Sequence, residues 1–115
     1  MTTVAAARTA LVSAVSASEK ETNGTACYVT SGGTDFTRLG GSSCEWTFRI
    51  SCAVGWNSDI GVMETALATL VAAKVTILQA SSTYHLESVG PASSRQIGGG
   101  DHLTADIAVT CKVDI

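Results

Sequence analysis

Charged residues are scarce in this sequence, and those present are scattered. Asp, Glu, Lys and Arg make up 15% of the 115 residues, and the formal net charge is −3. A nucleic-acid-binding surface needs Lys and Arg clustered on one face or along one helix. The seven basic residues are instead spread almost evenly along the chain. The composition therefore argues against duplex binding as the main task.

The sequence also lacks a convincing export signal or membrane span. Val4–Ala17 is apolar-leaning and ends in small residues, as a signal peptide would be, but it has no basic start and Arg8 interrupts it. No window approaches the roughly 18–20 apolar residues that a membrane span requires. We expect a cytosolic protein that has no export signal and does not contact a membrane.

Motifs for catalysis and cofactor binding are missing as well. There is no Gly-x-Ser-x-Gly, no His-Glu-x-x-His and no P-loop. Gly98, Gly99 and Gly100 have the composition of a phosphate-binding loop, but such a loop leads into a helix, where backbone N–H groups gather. These glycines precede a predicted strand, so we interpret them as a hairpin tip. The sequence predicts no enzyme and no cofactor.

Cysteine and histidine offer the remaining candidates for chemistry. Cys27, Cys44, Cys52 and Cys111 form no Cys-x-x-Cys pair, and their spacing matches no zinc finger or ribbon. Most of them fall on the apolar side of predicted strands, where free cysteine behaves as a small buried hydrophobe. We interpret them as core residues, with a metal or disulfide role as the alternative.

Two histidines, His85 and His102, fall on the side opposite the apolar residues of their predicted strands. We therefore expect both to face solvent or a partner. Glu87 lies two residues after His85 and so on the same face of the strand. A metal pair there would need a third ligand that the local sequence does not supply, so we predict no metal site.

Helical periodicity appears twice in what is predicted to be one domain, residues 1–115. The first predicted helix is Thr3–Lys20, with Thr2 or Thr3 as its cap and Asn23-Gly24 as its stop. The second begins near Asp59 and ends near Lys74. Its apolar stripe consists of Ile60, Met63, Leu67, Leu70 and Val71.

Strand patterns account for most of the rest. Alternation of apolar and polar residues predicts two long strands, from Cys44 to Val54 and from Leu103 to Val113. Shorter strands are predicted at Thr25–Thr30 and Thr83–Val89. The intervening segments Ser31–Ser42 and Ala92–Gly100 are predicted to be long loops.

The predicted order is helix, strand, strand, helix, strand, strand. One-sided alternation is typical of an antiparallel sheet that is covered on one face. Each helix has a single apolar stripe with which to cover that face. The sequence therefore predicts an α+β fold, a two-layer sandwich in which two helices lie on one face of a mainly antiparallel four-stranded sheet.

This pattern resembles the tail terminators of long-tailed, siphovirus-type bacteriophages, especially those of actinobacterial phages. The likeness runs nearly end to end and rests on the following features in order: the short first helix, the strand CEWTFRISCAVG (44–55), the helix 59–73, the strand YHLESVGP (84–91), the Gly-rich loop and the closing strand 103–113. It rests on pattern and element order, with no catalytic motif.

The resemblance implies a structural virion protein of the tail and neck, assembled in the host cytoplasm. Terminators form a sixfold ring on the head-proximal end of the tail tube, stop tube polymerisation and join the tail to the head connector. DNA passes through the ring without being read. The implied partners are therefore further copies of the chain, the tail tube protein and the head-tail connector protein. The candidate subunit or tube contacts lie in the two predicted loops: Asp35, Phe36, Arg38, Arg95 and Gln96.

Two alternatives come from other classes of function. One is a head-tail connector, stopper or other neck protein, which differs from a terminator in its binding partner. The other is a small ligand-binding α+β domain with a pocket between the helices and the sheet.

Overall fold

The structure is a computed structural model, and it describes residues 3–17, 26–31, 38–40, 43–97 and 99–114. Its elements in chain order are α1 (Val4–Ala14), β1 (Ala26–Ser31), β2 (Arg38–Gly40), β3 (Ser43–Gly55), α2 (Ile60–Gln79), β4 (His85–Val89), β5 (Ser93–Ile97) and β6 (Gly100–Asp114). The α+β class predicted from the sequence is confirmed.

All six strands join one sheet, and every strand pairing is antiparallel. The central path runs β1-β3-β6-β4, with β2 beside β3 and β5 beside β6. The two longest strands, β3 and β6, pair along their whole length, from Ser43 with Asp114 to Gly55 with His102. Strands β4 and β5 follow one another along the other side of β6, interrupted at Gly90-Pro91.

The predicted count of four strands is wrong, because both predicted loops contain a strand. Arg38–Gly40 forms β2 within the first, and Ser93–Ile97 forms β5 within the second. Strand β2 is only three residues long and its register with β3 is irregular. Strand β5 exposes most of its side chains, and only Ile97 is buried. Neither strand therefore has the one-sided alternation by which strands are recognised in a sequence.

The main core lies between the helices and one face of the sheet. Alternate residues of β3 supply Cys44, Phe48, Ile50, Cys52 and Val54, and β6 supplies Ala105, Ile107, Val109, Cys111 and Val113. Both helices contribute to the same cluster, α1 through Ala7, Leu11 and Val12 and α2 through Met63, Leu67 and Leu78. The predicted burial of the alternating residues is confirmed, with Trp46 and Leu103 only partly buried.

The other face of the sheet carries a second, smaller core. Tyr28, Ala53 and Ile97 pack together there, with Ala26 beside them. Ser51 and Thr104 are also buried. Ser51 and Ala53 lie on the face opposite the main core and are nevertheless buried, so the sheet is covered on both sides at this end.

The first helix is shorter than predicted. Thr3 caps it by accepting a hydrogen bond from Ala6 N at 3.2 Å, as expected, but the helix ends at Ala14 and not at Lys20. Ser16 follows with φ of 54°, a left-handed conformation that stops the helix. The predicted stop at Asn23-Gly24 lies outside the described residues. Tyr84 then fixes α1 in place by donating a buried hydrogen bond of 2.9 Å from its hydroxyl to Ala7 O.

The second helix is longer than predicted and continues to Gln79, so the β-branched residues after Lys74 remain helical. Asp59 is the N-cap, since its carboxylate accepts a hydrogen bond from Val62 N at 3.3 Å. Asn57 Oδ1 in turn accepts a hydrogen bond from Asp59 N at 2.8 Å. Asn57 and Ser58 precede the cap and lie outside the helix.

Removing this cap should destabilise the fold moderately. We expect Asp59→Ala to lower the free energy of unfolding by about 1 kcal/mol, because it leaves a helical N–H without its acceptor. Asp59→Asn, which keeps an accepting oxygen, should lose less. Thermal unfolding followed by circular dichroism measures both variants, and an equal loss in the two would contradict the capping role.

Candidate functional site

The residues predicted to make subunit or tube contacts are separated in the structure. Asp35 and Phe36 lie outside the described residues. Arg38 belongs to β2 and pairs with Cys44, near the start of β3. Arg95 and Gln96 lie on β5, which pairs with the part of β6 that faces the opposite end of β3, about 35 Å away along a strand of this length. The structure therefore does not bring Arg38 together with Arg95 and Gln96.

Arg95 and Gln96 border a shallow cavity at the hairpin formed by β5 and β6. Gln96 pairs with Asp101 and Arg95 with His102. The cavity has a volume of about 260 Å³ and is also lined by Trp56 and Ser94. Trp56 donates a backbone hydrogen bond of 3.0 Å to Asp101 O, which extends the pairing of β3 with β6 toward the hairpin tip. The predicted hairpin at the glycines is confirmed, and Gly99 has the positive φ of 81° that its turn requires.

Three exposed large apolar residues lie on α2. Ile60, Val62 and Ile77 are 62%, 53% and 39% exposed. Val62 and Ile77 lie on the side of the helix turned away from the core, whereas Ile60 is in line with the buried Leu78 and is exposed at the start of the helix. Between Val62 and Ile77, the outward face consists of small uncharged residues: Thr65, Ala66, Thr69, Ala72, Ala73 and Thr76. Only Glu64 and Lys74 carry a charge in the twenty residues of the helix. We call this surface the α2 outer face.

A helix in contact with water usually presents charged and polar residues on its outer side. The α2 outer face departs from this rule, because valine, isoleucine, alanine and threonine stand where charged residues are usual. By length and composition alone, Ile60–Gln79 is even long and apolar enough to cross a membrane, contrary to the sequence prediction. Met63, Leu67 and Leu78 are nevertheless buried in the main core, as in the core helix of a folded domain. An apolar outer face on such a helix is a candidate contact surface.

A second cavity opens between α2 and the strands beside it. Its volume is about 350 Å³, and most of its lining is apolar. The walls are formed by Leu67, Ala68, Val71, Val89, Gly90, Ala92, Leu103 and Ala105, with Glu64 as the one charged residue. Val89 at this cavity is 46% exposed. The sequence hypothesis of a pocket between helix and sheet therefore has a physical counterpart.

The two histidines differ sharply in their surroundings. The His85 side chain is 79% exposed, as expected, and its Nε2 lies 3.8 Å from Glu87 Oε1. Thr110 donates to the same oxygen at 3.1 Å. His102 was predicted to be exposed, which is wrong: it is fully buried, with Nδ1 2.8 Å from Gly100 O. Within the described ranges, no group of three His, Cys, Asp or Glu residues is placed to hold a metal ion.

The prediction that the cysteines belong to the core is confirmed. All four are free and buried. Burial raises the pKa of the Cys27 and Cys111 thiols, and it raises the pKa of Cys52 from 9.0 to about 12. Lys74 acts in the opposite direction on Cys52, but more weakly than burial does. Since the thiolate is the reactive form of cysteine, these thiols are poor nucleophiles in the folded protein.

The raised pKa of Cys52 predicts a loss of stability in alkali. Above pH 9 the unfolded thiol ionises while the folded one keeps its proton, so the free energy of unfolding falls as the pH rises toward 12. With 1.36 kcal/mol per pKa unit, the full loss is on the order of 4 kcal/mol. Urea unfolding of the wild type and Cys52→Ala at pH 7 to 11 measures it. The variant should show a shallower decline, and equal slopes would contradict the assignment.

Compared with known proteins, the chain matches no family model, and no curated protein matches it.

Proposed function

We propose that this protein is a structural assembly subunit, and specifically a tail terminator that forms a ring on the head-proximal end of a phage tail tube. In this role it stops tube polymerisation and joins the tail to the head connector. The α2 outer face is the observation that carries the proposal. A stable contact between subunits requires a surface with little charge to desolvate, and this helix offers one.

The size of the α2 outer face limits what it can do alone. A helix of 20 residues is about 30 Å long and about 10 Å wide, so one face covers about 300 Å². A standard interface buries about 800 Å² on each partner. The face is therefore too small to hold two free subunits firmly, but it contributes usefully where several contacts form together. A terminator that is monomeric in solution and assembles on a tube end would behave in this way.

The edges of the sheet are consistent with the same role. Strands β1, β4 and β5 are outer strands of the sheet. Outer strands present backbone N–H and C=O groups that can pair with another chain. His85 and Glu87 are exposed on β4, and Gln96 is exposed on β5. A closed ring uses two different surfaces of each subunit, one for each neighbour. The α2 outer face and the β4–β5 edge are two such surfaces.

In this proposal, the predicted contact residues bind neighbouring subunits or the tail tube. Arg95 and Gln96, beside Trp56, are assigned to contacts at the hairpin end of the subunit. Asp35, Phe36 and Arg38 are assigned to contacts with the tube or a neighbouring subunit. DNA would pass through the channel without specific binding, which suits a net charge of −3. The proposed role needs no catalysis and no cofactor.

Electron microscopy of the purified protein mixed with tail tube subunits tests the proposal. Across a concentration series, we expect rings with a central hole, or tubes that are capped at one end and arrested in length. Tube growth that continues unchanged without rings would favour a connector or stopper. A compact monomer indifferent to every phage component would refute a role in the neck.

The cavity between α2 and β6 favours a second candidate, a ligand-binding domain. Its volume of about 350 Å³ lies at the lower end of the range for small-molecule sites. Thermal unfolding in the presence of a panel of apolar metabolites tests this function. A saturable rise in the melting temperature that Ala68→Trp abolishes would support ligand binding, while no rise with any compound would leave assembly as the function.

A further inference from the structure

Two buried cysteines lie directly opposite each other on neighbouring strands. In the antiparallel pairing of β1 with β3, Cys27 is the partner of Cys52. Both side chains belong to the main core, and their relative exposures are 4% and 0%. Because directly opposed residues of an antiparallel pair project to the same face, the two thiols are neighbours beneath the helices.

The spacing of such a pair suits a disulfide. Opposed Cα atoms in antiparallel strands lie about 4.5–5.5 Å apart, and disulfides join Cα atoms about 4.4–6.8 Å apart. Opposed Cβ atoms lie about 4.5–5.5 Å apart, against about 3.5–4.5 Å in a disulfide. Closing the bond therefore requires a movement on the order of 1 Å, which an outer strand that pairs with a single strand can make.

Cys44 and Cys111 provide a comparison within the same sheet. Cys44 pairs with Val113, and Cys111 pairs with Trp46. Cys44 and Cys111 are therefore diagonal neighbours. The Cα atoms of diagonal neighbours lie about 7–8 Å apart. That exceeds the distance a disulfide spans without movement of the backbone. The geometry of the sheet therefore permits a disulfide between Cys27 and Cys52 and disfavours one between Cys44 and Cys111.

We propose that Cys27 and Cys52 form a latent cross-strand disulfide site, which oxidation closes and which then locks β1 to β3. Closure removes one hydrogen from each thiol and forms one S–S bond. The two electrons and two protons pass to the oxidant. With the azo compound diamide, the N=N bond is reduced to HN–NH, which balances the reaction.

The proposed function indicates when the disulfide would form, although the oxidation itself does not depend on that function. A virion protein is made in the reducing cytoplasm, where thiols stay reduced, and then enters an oxidising medium when the host lyses. The bond would form slowly, because the thiols are buried and β1 must open for the oxidant to reach them. Once formed, it would hold β1 on the sheet of the released particle.

Peptide mapping tests the proposal directly, because trypsin places each cysteine in a different peptide: 21–38, 39–49, 50–74 and 96–112. The purified protein is treated with diamide, alkylated in denaturant and digested without reductant. We expect a linked species of peptides 21–38 and 50–74, lighter than their sum by two hydrogens. The other two cysteines should be recovered alkylated.

Matched variants and a stability measurement complete the test. Cys27→Ala and Cys52→Ala should each abolish the linked species, whereas Cys44→Ala and Cys111→Ala should retain it. Oxidation should raise the melting temperature of the wild type by about 5–15 °C, and dithiothreitol should reverse the rise. A link between peptides 39–49 and 96–112 in place of the expected one would overturn the proposal. So would recovery of four alkylated thiols after oxidation in sub-denaturing urea, where β1 opens more often.

Discussion

Phe48→Ala is expected to lower the free energy of unfolding by about 3–5 kcal/mol, the largest single loss of stability that we predict. Phe48 is fully buried on β3, and it pairs with Val109 on β6. Its ring therefore lies at the centre of the pairing between the two longest strands, beneath the helices. Removing it deletes a large apolar area and leaves a cavity that the surrounding sheet cannot fill. Domains of this size are typically stable by about 5–15 kcal/mol, so the variant should be close to unfolding.

Urea unfolding followed by circular dichroism measures this loss. Arg49→Ala is the matched control, because Arg49 is the next residue on the same strand and its side chain is exposed on the opposite face. The control should change stability by about 0.5 kcal/mol or less. Phe48→Leu should fall between the two, since it restores most of the volume. A loss below 1 kcal/mol in Phe48→Ala would show that β3 does not carry the core in solution.

The second large effect concerns assembly. The double variant Ala66→Glu and Ala73→Glu places two carboxylates one above the other on the α2 outer face. If this face contacts a neighbouring subunit, each carboxylate would be buried there without a partner, which costs several kcal/mol. We expect the concentration needed to cap tail tubes to rise by more than about a hundredfold, which corresponds to about 2.7 kcal/mol. Capping is counted from tube lengths in electron micrographs.

Arg49→Glu is the control for net charge, because it also changes the charge by two units but lies on the polar face of the sheet. It should cap tubes as the wild type does. Both proteins must keep the melting temperature of the wild type within a few degrees, so that a loss of capping is not a loss of folding. Normal capping by the double variant would exclude the α2 outer face from the contact and remove the main support for the proposed assembly.

The sequence predicts the centre of this fold well and its edges poorly. Strands β3 and β6 are each buried on one face along most of their length, so their apolar residues alternate and the strands can be recognised. Strand β2 is only three residues long, and four of the five residues of β5 are not buried. Backbone pairing leaves little trace in the side chains, and for this reason both segments were predicted to be loops.

The burial of His102 could not be predicted from its own strand. Alternation along β6 places it correctly on the face opposite Leu103, but that face is covered at this end by residues from elsewhere in the sheet. Tyr28 of β1 and Ile97 of β5 meet there. Which side chains cover the second face depends on how the strands are ordered in the sheet, and the order follows from long-range pairing that local periodicity does not report.

The candidate contact surface was missed for a different reason. The predicted apolar stripe of α2 describes only the side of the helix that faces the core, where Met63, Leu67 and Leu78 are buried. The indication lies in what the helix lacks, since two charges in twenty residues are fewer than a water-exposed face would carry. Counting charges on the outer side of a helix, rather than apolar residues on its inner side, identifies such a surface.

The position of β6 has a consequence for how the protein is made. This strand is sixth in chain order, yet it lies between β3 and β4–β5. Asp114 must be synthesised before Ser43 can find its partner, so β3 cannot complete its pairing until the whole of β6 has been made. Pairing of such distant segments also slows folding. A chain that stops before β6 would lack the strand that joins the two sides of the sheet, and we expect it to remain unfolded.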